Sequence, residues 1–171
     1  MYSMAVYGDN AGAQVRLGCA YEFGELDVVI NSEMAFTWYQ KAVEGGDGYA
    51  QRRLGCAYEL GEFGELDLEI NLGVALTCYQ EAVEGGDGYA QRRLGWAYED
   101  GDFDLVTDKE KALECFEMAA AGGNAGAQRR LAFAYENGGL GVAINFEVVY
   151  TWYEKAAEGG GAEAQCRLGY A

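Results

Sequence analysis

Three kinds of side chain recur at fixed distances from a repeated leucine, and together they could bind another protein. An arginine lies two residues before this leucine, an apolar or thiol side chain two residues after it, and a glutamate five residues after it. Guanidinium groups pair with carboxylates in a fork geometry, and aromatic side chains are frequent anchors at interfaces. The alternative is that the arginines and glutamates pair with one another. The candidate residues are Arg52, Arg92 and Arg129; Cys56, Trp96 and Phe133; and Glu59, Glu99 and Glu136.

The sequence offers few of the residue types that catalytic sites use. The chain contains no histidine, which excludes Ser–His and Cys–His dyads and imidazole metal sites. Its two serines, Ser3 and Ser32, lie in no nucleophile motif, and no phosphate-binding glycine motif occurs. We therefore predict a protein that is not an enzyme and has neither a catalytic residue nor a cofactor. A weaker alternative is an enzyme whose catalytic domain lies outside this chain.

One acidic loop resembles a calcium site in part. In the segment 100–111, Asp100, Asp102, Asp104 and Asp108 occupy the first, third, fifth and ninth positions of an EF-hand loop. The sixth position, where the turn requires glycine, is Leu105. The twelfth, where a bidentate glutamate is required, is Lys111. We expect no physiological calcium binding and no metal site.

Charge and cysteine content limit the partners and the compartment. The net charge of −16 repels nucleic acid and anionic membrane surfaces. No apolar run is long enough to span a membrane, and the first ten residues lack the features of a signal peptide. Five cysteines, with no CxxC pair, indicate reduced thiols and a cytoplasmic location, unless a signal peptide has been removed.

A period of about 37 residues organises the whole chain. The glutamine of a repeated Ala-Gln pair occurs at positions 14, 51, 91, 128 and 165, and such a period is typical of a solenoid. Each unit contains two predicted helices, because apolar residues recur at helical spacing between asparagine or aspartate caps and paired glycines. Each intervening loop has one predicted apolar anchor. The anchors are Val28, Leu68, Leu105 and Val142, and the second loop holds three extra residues.

The repeated units share a set of residues at fixed positions. These residues are Leu54-Gly55, Tyr58, Gly61, Ala75, Tyr79 and Ala82, together with the Trp-Tyr pairs at 38–39 and 152–153. In this set the units resemble Sel1-like repeats, the α/α solenoid family related to tetratricopeptide repeats, and the resemblance covers essentially the whole chain. Cys78, Cys115 and Ala132 depart from the pattern. The repeated glycine is expected to let the facing helix approach closely. Members whose repeats each contain a disulfide use a region around Val43 and Gln51 that has no cysteine here.

The resemblance implies an all-α, right-handed α/α solenoid of about four helix-turn-helix repeats, incomplete at both ends. We expect one domain, 1–171, with repeats at 10–46, 47–86, 87–123 and 124–160 and a partial helix at 161–171. The first helix of each repeat would line a concave groove, so that the three rows of candidate residues would lie side by side along it. A bacterial source is also expected.

A protein-interaction scaffold that binds a peptide or protein along this groove is the predicted function. The alternative is a structural subunit that forms a homo-oligomer or filament head to tail. The sequence begins partway through one repeat and ends partway through another, so the two incomplete repeats could pack together. The apolar residues proposed for that contact are Tyr2, Val6, Leu168 and Tyr170.

Overall fold

The computed structural model describes residues 10–169. The chain divides into two compact units, the first ending at Asp87 and the second beginning at Gly88. Over the described residues, each unit contains two pairs of packed helices, and the second also contains a short helix. The described part of the chain therefore confirms the predicted all-α class.

Within residues 10–87, unit 1 contains four helices of 13 residues each and one small hairpin. The helices pack in pairs, α1 with α2 and α3 with α4, and α2 also contacts α3. Its core includes Phe36, Tyr39, Leu54 and Cys78, which pack around alanines with almost no exposed surface. The elements are α1 (Ala11–Phe23), α2 (Ser32–Glu44), α3 (Gly48–Leu60), β1 (Glu62–Phe63), β2 (Leu66–Asp67) and α4 (Leu72–Glu84).

Unit 2 repeats the arrangement and adds a short helix. Helix α5 packs with α6, α7 with α8, and α9 against α8. Phe116 and Leu131 are fully buried, and Tyr153 is nearly so. The elements are α5 (Gly88–Asp100), α6 (Lys109–Ala121), α7 (Ala125–Asn137), α8 (Phe146–Glu158) and α9 (Ala162–Leu168), with 3₁₀ turns at Asp102–Asp104 and Gly139–Gly141.

Local chemistry sets the helix ends, as predicted. The side chain of Asn31 accepts a hydrogen bond from the backbone N–H of Met34 at 2.9 Å, which satisfies an N–H that has no partner within the helix. Equivalent bonds form at the other predicted caps of second helices and at two first helices. These caps are Asn71, Asp108, Asn145, Asp47 and Asn124. The second helices end at the predicted glycines, Gly45, Gly85, Gly122 and Gly159.

Glycine at the repeated Leu-Gly pair allows close contact with an aromatic ring, as predicted. A Cβ atom added to Gly95 would lie 2.8 Å from Cε1 of Phe116, and one added to Gly18 would lie 2.7 Å from Cε1 of Tyr39. Such separations are shorter than van der Waals contact. The absence of a side chain therefore lets the second helix of each of these pairs approach the first.

The loops depart from the prediction in two respects. The three extra residues of the second loop form part of an antiparallel hairpin, in which Phe63 pairs with Leu66. The predicted anchors are only half-buried, whereas Phe63, Phe103 and Leu140 are buried. Phe103 and Leu140 adopt left-handed backbone conformations, with φ of 57° and 52°. Burial of their side chains offsets the strain of that conformation.

None of the helices among residues 10–169 is long and apolar enough to cross a membrane.

Candidate functional site

The three rows of candidate residues lie on the first helices of the second, third and fourth repeats, α3, α5 and α7. In α5, for example, Arg92, Trp96 and Glu99 are separated by four and three residues, so they lie along one face of the helix. The same spacing holds in α3 and α7. Helical geometry therefore places one arginine, one aromatic or thiol side chain and one glutamate together on each of these helices.

In unit 1, the candidate residues contact other groups of the same unit. Nε of Arg52 donates a hydrogen bond to Oδ2 of Asp87 at 3.1 Å, and its guanidinium lies 4.6 Å from the ring centre of Tyr49. The hydroxyl of Tyr79 donates to Oε2 of Glu59 at 2.6 Å and lies 3.2 Å from Sγ of Cys56. Burial raises the pKa of Tyr79, and the bonds to Cys56 and Glu59 add to the shift. This tyrosine therefore stays protonated and serves as a hydrogen-bond donor.

In unit 2, four candidate residues line an open pocket of about 340 Å³. They are Trp96, Glu99, Arg129 and Phe133. Phe133 exposes 49% of its surface, while Trp96 is half-buried and packs edge-on against Phe116, with ring centres 5.3 Å apart. The pocket thus has an aromatic wall that remains open to solvent.

A buried arginine that the sequence analysis did not select forms the base of this pocket. Arg130 exposes only 9% of its side chain, and its guanidinium lies 5.3 Å from the ring centre of Trp96 and 5.7 Å from those of Phe116 and Phe133. Its Nε donates to Glu99 at 3.0 Å, and its Nη2 also contacts that carboxylate. Its Nη1 is buried and has no hydrogen-bond partner among residues 10–169. The guanidinium therefore lies at cation–π distance from both rings of the aromatic wall.

A simple signal could have identified this second row of arginines. An arginine directly precedes the repeated leucine in all five copies, whereas the candidate arginine two residues before it occurs in only three. The second row forms ion pairs within each unit: Arg53 with Glu22, Arg93 with Asp102, Arg130 with Glu99 and Arg167 with Glu136.

The glutamate row therefore has partners within the chain. Glu99 contacts Arg130, and Glu136 accepts a bond from the Tyr153 hydroxyl at 3.1 Å and lies 3.6 Å from Arg167. This is the pairing between arginine and glutamate that the alternative interpretation described. Contact of these glutamates with a partner stays a prediction.

The three candidate arginines differ in their ion pairs. Arg52 pairs with Asp87, and Arg129 pairs with Glu163, where both side chains are about half exposed. Arg92 is half-buried and lies 5.0 Å from the ring centre of Tyr89. Among residues 10–169, no carboxylate oxygen lies within 4.0 Å of its guanidinium nitrogens, so it forms no salt bridge there. Arg92 is thus the candidate arginine whose charge is not neutralised by an ion pair in this part of the chain.

Of the residues proposed for self-association, Leu168 lies in the described part of the chain. It is half-buried and packs against the cluster that contains Val149, Tyr153 and Ala164. Tyr2, Val6 and Tyr170 lie outside the described residues. Head-to-tail association stays a prediction.

The cysteines and the acidic loop have structural environments. All five cysteines lie in the described part, and none forms a disulfide. Burial raises the pKa of Cys78 and of Cys115 to about 11, with Glu81 and Glu114 adding to the respective shifts.

In the acidic loop, Asp102 pairs with Arg93 at 2.9 Å, and Asp108 accepts bonds from the first turn of α6. No group of three potential metal ligands occurs among residues 10–169. That the loop does not bind calcium stays a prediction.

Comparisons with known proteins identify the repeat. The model of the Sel1 repeat matches residues 11–47, 48–87, 88–124, 125–161 and 162–171. A search of curated proteins found no match.

Solved structures of this repeat resemble the chain over nearly its full length. A protective antigen of uropathogenic Escherichia coli with an SLR fold is 34% identical, with a TM-score of 0.79 over 99% of this chain and 35% of that one. A Sel1 repeat protein from Oxalobacter formigenes is 27% identical, with a TM-score of 0.83 over 100% of this chain and 66% of that one. Helicobacter pylori cysteine rich protein B, 22% identical with a TM-score of 0.58 over 81% of this chain and 95% of that one, shares the fold. The chain spans about a third and about two thirds of the first two proteins.

These findings confirm the predicted family and its all-α solenoid fold. Sel1 repeat proteins are generally protein-interaction scaffolds, and the family is typically non-catalytic. Because the matches to the family model extend from residue 11 to residue 171, the chain belongs to the Sel1 repeat family.

Proposed function

We propose that this chain is a non-catalytic scaffold and that it binds a peptide segment of a partner protein in the unit 2 pocket. The observation that carries the proposal is the exposed ring of Phe133 beside Trp96. A large aromatic side chain in an open pocket gains free energy when a partner covers it, at about 25 cal/mol for each Å² of apolar surface removed from water. Aromatic and arginine side chains are also the residue types that most often dominate binding energy at interfaces.

The side chains of the pocket are partly pre-organised for binding. The guanidinium of Arg130 lies at cation–π distance from the rings of Trp96 and Phe133, and this contact reduces the side-chain freedom that would be lost on binding. In unit 1, by contrast, the equivalent position of the aromatic row is Cys56, which contacts the Tyr79 hydroxyl. We therefore assign the main partner contact to unit 2.

The apolar environments of two cysteines support a reducing compartment as the place of action. Cys78 and Cys115 occupy positions at which the first and fourth repeats have tryptophan, and both thiols are buried. They act as small apolar side chains, which suits a cytoplasmic protein of bacterial type.

Capture of partners from a lysate of the source organism tests the proposal. The immobilised wild-type chain is compared with Phe133→Ala and with Phe146→Ala, whose ring is 70% exposed at the start of α8. We expect Phe133→Ala to lose the specifically captured protein and Phe146→Ala to retain it. The combined Arg52→Ala, Arg92→Ala and Arg129→Ala variant should also lose it.

Each variant is first checked for helix content and thermal stability, so that loss of capture reports the surface and not unfolding. Equal capture by the wild type, Phe133→Ala and Phe146→Ala would contradict the assignment of the pocket.

A further inference from the structure

Arg92 differs from the other candidate arginines because the carboxylate expected beside it is replaced. Asp87, Asn124 and Gly161 each lie four residues before the repeated glutamine, at 91, 128 and 165. Asp87 pairs with Arg52 of the preceding repeat. The residue in the corresponding position for Arg92 is Asn124, which carries no charge. For Arg129 the position is Gly161, and Glu163 supplies the carboxylate instead.

The geometry around Arg92 confirms that it lies beside this neutral residue. A Cβ atom built on Gly126 would lie 3.1 Å from Cδ of Arg92, 3.3 Å from its Nε and 3.2 Å from Oδ1 of Asn124. Oδ1 of Asn124 accepts a bond from the backbone N–H of Ala127 at 3.0 Å, and its Nδ2 donates to the carbonyl of Gly88 at 3.2 Å. The asparagine thus caps α7 and leaves the positive charge of Arg92 without a counter-charge.

Two further features favour an anion at this place. Arg92 is half-buried, where an uncompensated charge is less well solvated than in bulk water. It also lies at the first turn of α7, where the helix dipole adds partial positive charge. A carboxylate placed here would interact favourably with both.

The unit 2 pocket is adjacent to Arg92. Gly126, which lies against Arg92, also lines the pocket with Trp96 and Phe133. Arg92 and Trp96 are one helical turn apart on α5, roughly 6 Å along its axis. A ligand could therefore reach the guanidinium and the aromatic wall at once if its carboxylate and its ring were close together.

Resting on the function proposed above, we propose that Arg92 binds a carboxylate of the partner and that an adjacent aromatic side chain of the same segment packs on Trp96 and Phe133. The carboxylate is the C-terminal group of the partner or the side chain of an aspartate or glutamate. Because the net charge of −16 repels strongly acidic segments at long range, the remainder of the segment is neutral or basic.

Three small probes test this recognition in the intact chain. N-acetylphenylalanine has a free carboxylate beside a ring, its primary amide has the ring alone, and N-acetylaspartylphenylalanine amide has a side-chain carboxylate. Binding is measured by ligand-observed NMR titration, with dissociation constants expected on the order of millimolar for ligands of this size. We expect at least one carboxylate probe to bind about fivefold or more tightly than the neutral amide. The tighter of the two carboxylate probes identifies the source.

Two substitutions separate the carboxylate contact from simple burial of the ring. Arg92→Gln should abolish the preference for the charged probe, whereas Arg16→Gln, at an exposed arginine of α1 in unit 1, should retain it. Asn124→Asp keeps a good helix cap and supplies the missing counter-charge within the chain. It should weaken binding of the charged probe to the level of the neutral one.

Equal binding of charged and neutral probes to the wild type, an unchanged preference in Arg92→Gln, or no binding of any probe would overturn the proposal. The capture experiment distinguishes the two proposals. A partner lost in Phe133→Ala but retained in Arg92→Gln would leave the scaffold function in place and contradict only the carboxylate contact.

Discussion

Adjacent arginines of one helix have different structural roles. Arg129 and Arg130 are neighbours in α7, yet Arg129 and its partner Glu163 are about half exposed, while Arg130 is nine-tenths buried and contacts Glu99 and three rings. Exposed ion pairs contribute little because water and salt screen them. Removal of one member of a buried pair leaves the other charge without compensation.

We predict a clear difference in stability between the two corresponding variants. Arg130→Ala should lower the free energy of unfolding by about 2–4 kcal/mol, since it removes stacking and leaves Glu99 unpaired. Arg129→Ala should lower it by less than about 1 kcal/mol. Urea denaturation followed by circular dichroism measures both values. Equal losses in the two variants would contradict the assignment of Arg130 as the buried structural arginine.

The buried thiols should be chemically inert in the folded chain. The pKa of Cys78 and of Cys115 is about 11, so both are neutral at pH 8.5, and burial also limits access by a reagent. Cys166 is exposed and serves as the internal control. We expect iodoacetamide at pH 8.5 to alkylate Cys166 at least about tenfold faster than Cys78 or Cys115, as measured by peptide mass spectrometry. Similar rates at all three positions would show that the thiols are accessible.

The same shifts predict a loss of stability in alkaline solution. The thiols of the unfolded chain release their protons near their ordinary pKa of 9, whereas Cys78 and Cys115 hold theirs to about 11 in the folded chain. The free energy of unfolding should therefore decrease as the pH rises from about 9 to about 11. Urea titrations across this range measure the decrease. Replacement of both cysteines with alanine should reduce its slope; an unchanged slope would assign the effect to other groups, such as the buried tyrosines.

At the scale of the helix pair, close approach depends on a missing side chain. Gly95 of α5 faces the ring of Phe116 in α6, and Gly55 and Gly18 face tyrosine rings in the same way. In these three repeats the contact brings the two helices together and determines where their remaining side chains can meet. The fourth repeat has Ala132 at this position, so the site can accept a methyl group when its surroundings are adjusted.

Gly95→Ala should destabilise the chain although alanine favours helices. The new Cβ atom would lie 2.8 Å from the Phe116 ring, and overpacking of this kind costs about 1–3 kcal/mol. The gain in helix propensity, about 0.5–1 kcal/mol, offsets only part of that cost. The matched control is Gly73→Ala in the exposed first turn of α4, which should be neutral or slightly stabilising. Thermal unfolding compares the melting temperatures of both variants with that of the wild type. A higher melting temperature for Gly95→Ala would contradict the close contact.

For the whole molecule, the charge imbalance is the dominant long-range term. Twenty-eight acidic residues face twelve basic ones, and most arginines of the described part are held in ion pairs. The excess of carboxylates repels itself in the folded state, and salt screens that repulsion.

Added salt should therefore raise the melting temperature. We expect an increase between about 10 mM and 150 mM sodium chloride, over which the Debye length falls from about 30 Å to about 8 Å. Calcium and magnesium chloride at equal ionic strength should give equal increases, because Leu105 and Lys111 stand where a calcium loop needs glycine and glutamate. A larger shift with calcium, accompanied by stoichiometric calorimetric binding, would show a specific site.

The repeat, its helices and their family follow from the sequence by itself. Caps such as Asn31, paired glycines such as Gly45-Gly46 and apolar residues at helical spacing act between residues that are close along the chain. Because the chain repeats these local signals every 37 to 40 residues, their agreement made the helix boundaries and the solenoid fold predictable. The role of Gly95 in close helix packing followed from the resemblance of the repeated Leu-Gly pair to the Sel1-like repeat.

Only the tertiary structure decided which arginines are buried, which are paired and which of the three candidate arginines is left without a counter-charge. Arg130 meets Glu99 across 31 residues, and Arg52 meets Asp87 across 35. Such pairs depend on the approach of separate helices and on side-chain rotamers. The repeated arginines in the sequence specify neither the helix packing nor the rotamers. The neighbouring arginines of each pair are chemically the same, so their different burial arises from the surface against which each helix packs. For that reason the sequence identified the arginine rows, while the position of Arg92 beside the neutral Asn124 required the structure.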